Sequence, residues 1–353
     1  MSLSSQDKNR RVPNLHENAF DYFRIYAALH VLIGHIVLLY NISLPQGADI
    51  LFNIFKGVPI LFTLCGFLVT ASYIKSESIR QYYKKRVFRI FPSLWISVIV
   101  GFLVLLYFYR ENMPLKATVI WTIAQGFALQ YTPGFAESFG SGTFNGALWA
   151  LFTELQFYII LPLFYKIMKN KKMRTWILVG IVLLIINILG EHMVSGIDNR
   201  AIYLLWRRFL LSKVMYFYIG SFICVFRNEI LPKIIRCFPI LLLVYVCSNV
   251  VNSLIGIGVF YNIFIYCLFP FVLIAGGYWL STYRLKMDIS YGVFLYHCMV
   301  LNIFIHLGAK PNLINIVAII LISIACGIVA TYIDKKINAL MKNVSKSTLS
   351  RSK

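Results

Sequence analysis

Apolar runs separated by short polar stretches recur along the chain. They fall at 21–40, 50–74, 90–109, 147–168, 175–191, 203–226, 237–256, 259–281, 289–308 and 313–333. A helix needs about 20 such residues to cross roughly 30 Å of hydrocarbon, and these runs supply them. The pattern predicts an all-α, polytopic membrane protein with about ten transmembrane helices. The apolar run 117–131 is only 15 residues long. It is read as a re-entrant or interfacial segment on the outer side. Three parts follow: a cytoplasmic N-terminal segment 1–20, a transmembrane domain 21–333, and a basic cytoplasmic tail 334–353. No cleavage signal precedes the first apolar run, so it is expected to be a retained span.

Composition strengthens this picture. Apolar residues make up 59% of the chain and charged residues 13%, where soluble domains carry about 25%. The net charge of +21 does not indicate nucleic acid, because the basic residues sit in short loops between apolar runs. With 117–131 outside the span count, only Arg110, Lys116, Arg200 and Lys310 fall in outer loops. The basic loop Lys75–Arg89, the Lys166–Arg174 loop, the Arg227–Arg236 loop, Arg284, Lys286 and the tail fall inside. That is the positive-inside arrangement, with both termini in the cytoplasm and anionic lipid as neighbour. The seven cysteines lie in apolar runs without a CxxC pair, so no disulfide framework and no metal site is expected.

Ionisable residues inside the runs carry the chemistry, because lipid makes them costly. The first run holds Arg24, His30 and His35. Arg24 and His35 are eleven residues apart, so they share a helix face about 16 Å apart along the axis. His30 points elsewhere and reads as an interhelical hydrogen-bond partner. Glu154, counted from the outer start of its run, and His35, counted from the inner start of its own, both fall roughly 10 Å below the outer surface. A carboxylate beside an imidazole fixes its tautomer and makes a general base, so His35 and Glu154 are the candidate catalytic pair. Glu154 could instead neutralise Arg207 or Arg208. His297, in the ninth run, suits a structural or a functional role equally. Arg86 and Arg89, with Arg24, could ring a cytoplasmic mouth suited to a phosphorylated ligand, since guanidinium binds phosphate bidentately.

Five motifs carry a family resemblance. They are FDYFRIYAALHVLIGH (Phe20–His35), GVPILFTLCGFL (Gly57–Leu68), RVFRIFP (Arg86–Pro92), LWALFTELQFYIILPLF (Leu148–Phe164) and ISYGVFLYH (Ile289–His297). In this order they resemble the motifs of the acyltransferase family 3 of integral membrane proteins. Asp21, Arg24 and His35 match the first motif. Trp149, Glu154 and Tyr158 match the fourth, and Ser290, Tyr291 and His297 the last. Cys65 stands where the family usually has serine, Leu61 where it has an aromatic residue, and Phe294 where it has tyrosine.

The resemblance implies transfer of an acetyl group from cytoplasmic acetyl-CoA to a sugar hydroxyl of a surface polysaccharide or its lipid-linked precursor, at the bacterial inner membrane. Membrane lipid, acyl-CoA and a glycan acceptor are the implied partners. His35 would serve as general base or as a covalent acyl relay, with Glu154 orienting it. Arg24, Arg86 and Arg89 would hold the CoA phosphates. Asp21, Trp149, Tyr158, Ser290, Tyr291 and His297 would give substrate or structural support. A transporter or flippase of glycan intermediates is the alternative. Such proteins often carry internal repeats, and no second copy of the first-half motifs is visible.

Overall fold

The computed structural model describes residues 17–256, 258–280, 285 and 287–351. Residues 1–16 of the N-terminal segment, and Arg284 and Lys286 of the inner loop, lie outside them, as do the side chains of most of the basic tail. The described chain is helical throughout. In order it runs α1 (Phe20–Leu39), α2 (Gln46–Ile54), α3 (Gly57–Ile74), α4 (Ile79–Tyr109), α5 (Leu115–Gly126), α6 (Leu148–Met168) and α7 (Met173–Ser195). Then follow α8 (Arg200–Arg208), α9 (Val214–Val225), α10 (Arg227–Arg236), α11 (Phe238–Ile255), α12 (Val259–Trp279), α13 (Ser290–His306) and α14 (Leu313–Arg351).

Eight of the described helices are long and apolar enough to cross a membrane, or nine if one bent pair forms a single span. The expected count of about ten is therefore not confirmed. The run 203–226 is broken: α8 and the helical stretch Leu210–Val225 meet at 63°. α8 carries Arg200, Arg207 and Arg208 and buries none of its residues, which suits the interface rather than the core. The run 289–308 yields α13, a 17-residue apolar helix. At 1.5 Å per residue α13 is about 25 Å long, short of the hydrocarbon thickness.

Two other boundaries differ from the sequence reading, and the non-spanning 117–131 segment accords with it. The basic stretch before residue 90 is not a loop. Ser78 accepts from the Gln81 amide at 3.2 Å, and the Gln81 side chain accepts from the Glu77 amide at 2.8 Å. This reciprocal cap starts α4 at Ile79, so Arg86 and Arg89 stand on helix. α14 runs on through Arg351, so no helix end marks residue 333. The 117–131 segment forms the 12-residue α5, too short to span.

The chain divides into two compact units. One comprises the start of α1 up to Arg24, then α2, α3, the second half of α6 and α7–α12. Its tightest contact is α3 against α9. A Cβ on Gly66 would lie 2.2 Å from the Phe217 carbonyl oxygen, and one on Gly220 would lie 2.5 Å from that of Thr63. The glycines let the two backbones touch, and Thr70 Oγ1 donates to Ser221 Oγ at 2.9 Å across the seam. The other unit comprises the rest of α1, α4, α5, the first half of α6, α13 and α14. Its core packs Ala28, Leu32 and Ile36 of α1 against Val293, Val300 and Leu301 of α13 and Ile319 of α14. That packing sets α1 beside α13.

Candidate active site

His35 is on α1 and His297 on α13, and the shared core brings them together. Their nearest ring nitrogens, His35 Nδ1 and His297 Nε2, are 2.8 Å apart, and the rings stack with centroids 5.0 Å apart. His297 is wholly buried. Its Nδ1 lies 3.1 Å from the Val293 carbonyl, one turn earlier on α13. A carbonyl only accepts, so His297 Nδ1 carries the proton and donates it. His297 Nε2 is then bare and accepts from His35 Nδ1–H. This chain leaves His35 Nε2 with a free lone pair, the atom a general base needs.

Cys298 completes the group. Its sulfur is 3.5 Å from His35 Nδ1 and 3.4 Å from His297 Nε2. Sequence reasoning treated it as a small apolar residue. The signal that marks it is its place directly after His297 in a helix that faces α1. The two ring nitrogens and the thiol sulfur lie within 4.8 Å of one another, so these three residues could hold a metal ion.

Among the described residues no hydrogen bond joins Glu154 to His35. Glu154 accepts a short hydrogen bond from Tyr158, one turn on in α6. Glu154, Asp334 and Arg89 are charged neighbours of Tyr291. Tyr291 is six residues before His297, about 9 Å along α13. The depth count takes α6 to begin at a membrane surface. The segment before it folds into the unit: Asn145, itself buried, donates to the Leu295 carbonyl at 3.0 Å. Asn302 accepts from the Ser141 amide at 2.7 Å and donates to the Thr143 and Phe144 carbonyls. Gly140 makes the turn in the left-handed region, at φ +57°, where a Cβ would lie 2.4 Å from Asn302 Oδ1. α6 thus starts level with His297, and Glu154 lies a further turn or two away from it.

A second polar group includes Tyr158, the hydrogen-bond donor to Glu154. Tyr82 of α4 donates to the Tyr158 carbonyl at 3.1 Å, and Tyr291 donates to the Ile90 carbonyl at 2.9 Å. The Arg86 guanidinium lies 5.6 Å over the Tyr158 ring and 6.0 Å over the Tyr82 ring. Arg89 is exposed. Ser93 donates to Asp334 of α14. Asp288 accepts from both the amide and the hydroxyl of Ser290, at 3.0 and 2.5 Å, just before α13. Asp288 and Asp334 were not singled out by sequence. Trp149 is half-buried on the first turn of α6. Arg24 and Asp21 belong to the other unit, where they form an ion pair at 2.8 Å. His30 packs its ring against Tyr26 at 5.9 Å.

Comparison with known proteins accords with these features. The chain is 32% identical to nodulation protein 10 of Rhizobium leguminosarum bv. viciae over 194 residues, 50% of this chain and 52% of that protein. It is 28% identical to an O-acetyl transferase of Shigella phage Sf6 over 315 residues, 84% of this chain and 89% of that protein. It is 26% identical to the peptidoglycan O-acetyltransferase OatA of Listeria monocytogenes over 217 residues, 58% of this chain and 32% of that protein. The chain thus spans about half of the first of these relatives and a third of the last. No solved structure matches it. The family model for the acyltransferase domain, Acyl_transf_3, matches residues 17–332, nearly the whole chain. With its membrane-spanning helices and the five motifs in order, this polytopic membrane protein belongs to the acyltransferase family 3.

Proposed function

We propose that the protein is a membrane O-acetyltransferase that moves an acetyl group from acetyl-CoA to a sugar hydroxyl of a surface polysaccharide or its lipid-linked precursor. The observation that carries the reading is the imidazole chain from the Val293 carbonyl through His297 to His35. Its tautomers leave His35 Nε2 as the base. In direct transfer, His35 Nε2 takes the proton of the acceptor hydroxyl as its oxygen attacks the thioester carbonyl carbon. The C–S bond breaks, and the departing CoA thiolate takes the proton from the imidazolium. In the relay form, His35 Nε2 attacks the thioester carbonyl carbon and the C–S bond breaks, releasing CoA thiolate. The acceptor hydroxyl oxygen then attacks the acetyl carbon, the N–C bond breaks, and the hydroxyl proton ends on the thiolate. No carboxylate among the described residues touches His35.

Arg86 and Arg89 supply cations for the CoA phosphates, and Arg24 is the third the sequence offers for that role. Glu154, held by Tyr158, then acts on the arginine side of the site and not on the base. The distribution of Lys and Arg supports an inner-membrane protein with both termini cytoplasmic. Replacing His35 with Ala in a strain lacking the native gene tests the reading. Surface-glycan O-acetylation should fall by about 10²-fold or more. Wild-type acetylation at an equal protein level would overturn it.

A second reading rests on the proximity of His35, His297 and Cys298 as metal ligands. Metal analysis of the purified protein separates the two: near-stoichiometric zinc, lost together with His297, would favour a metal-bound centre over the imidazole chain.

A further inference from the structure

The unit built from α2, α3 and α7–α12 contains a cavity of about 280 Å³, assigned no role so far. Its lining is unusual for a helix bundle in lipid. Asn249, Asn252 and Ser253 of α11 and Asn262 of α12 face it. Aromatic rings close another side. Tyr216 meets Tyr266 edge to face at 4.4 Å, and Tyr245 and Phe269 are 5.6 Å apart. Lys56, at the break between α2 and α3, is the one charged lining residue.

Polar side chains between membrane helices often serve as glue. Asn252 meets that description in part, since it donates to Asn262 Oδ1 at 2.7 Å. Glue does not account for the rest. Asn252 Oδ1 is buried and has no hydrogen-bond partner among the described residues. Asn249 spends its amide on the Tyr245 carbonyl one turn back, at 2.8 Å, which leaves its own oxygen for the cavity. A buried, unpartnered acceptor in a roomy polar cavity calls for a donor from a ligand.

The lining narrows the ligand class. A single lysine is not a polyphosphate site, which takes several cations. The lining has no His, Cys, Asp or Glu to hold a metal. Carboxamides that both donate and accept, next to flat aromatic faces, match a ring rich in hydroxyl or acetamido groups. The position fits as well. α10 carries Arg227, Lys233 and Arg236 at the start of α11, and the positive-inside rule places that end in the cytoplasm. α11 has 18 residues, about 27 Å, so Asn249–Ser253 near its far end face the outside. We infer that this cavity binds one sugar unit of an extracytoplasmic glycan, a docking site for the acceptor chain. The inference rests on the proposed function in taking the glycan to be the acceptor.

In-cell photocrosslinking tests it. A benzophenone amino acid replaces Ile265, a cavity-lining residue, in the full-length protein in cells that make their native surface glycan. Irradiation should yield an adduct that stains for carbohydrate. Asn252→Leu with Asn262→Leu should reduce it at least fivefold at equal protein level, and the milder Asn249→Ala should reduce it in the same direction. A benzophenone at Leu243, which faces outward on α11, should capture lipid without glycan. Adducts to phospholipid alone from position 265, or a glycan adduct indifferent to all the asparagine variants, would overturn the proposal. His35→Ala should still form the glycan adduct. If that variant also keeps full glycan acetylation, the acetyl-transfer reading fails while the cavity assignment stands.

Discussion

His297 determines what His35 can do. With the Val293 carbonyl on one nitrogen and His35 on the other, its single proton position sets the tautomer of both rings. His297→Ala should therefore lower acetyl transfer by about 10²-fold with little change in protein level. His297→Gln should recover part of the loss, because an amide oxygen can still accept from His35 Nδ1–H. A role in packing alone would show no such rescue. Cys298 touches the Nδ1 side of His35, away from the reactive nitrogen. Cys298→Ala should accordingly stay within about threefold of wild type in labelled acetyl-CoA transfer, given how modest a thiol's hydrogen bonds are. A loss as deep as that of His35→Ala would instead make the thiol an acyl carrier. Much of this site was legible beforehand: His35, His297 and the arginines stand out as polar residues in apolar runs. Their pairing was not legible, because it depends on which helix packs beside α1.

At the level of elements, glycines and asparagines decide the geometry. The α3–α9 contact has no room for a side chain at Gly66. Gly66→Leu should destabilise the protein by about 1–3 kcal/mol, read as a lower thermal midpoint in detergent or a lower yield of folded protein. Ala at the same site should cost less. Asn302 holds the segment before α6 through three hydrogen bonds, to Ser141, Thr143 and Phe144. Those bonds set the start of α6 beside α13, which counting along one helix does not register.

For the molecule as a whole, the topology is the quantity to check. Alkaline phosphatase fused after Asn112 or Asp198 should be active, and after Asn170 inactive. Activity at Asn170 with silence at Asp198 would mean that α5 spans and that every later loop changes side. The bend between α8 and α9 belongs to this scale too. α8 is read in the sequence as part of one apolar run. In the structure its three arginines stay out of the core, because lipid admits the apolar α9 and charges the full desolvation cost for guanidinium groups.

The sequence by itself determined that the chain lives in a membrane, which residues are costly there, and which family it joins. Those properties are local: an apolar run, a buried charge and a motif each depend on a few neighbouring residues. Only the tertiary structure decided that His35 pairs with His297 rather than Glu154, that Cys298 lies beside both rings, and that an asparagine-lined cavity exists. Each of these joins residues far apart in the chain, and periodicity along one helix does not say which helix lies next to it, or at what height.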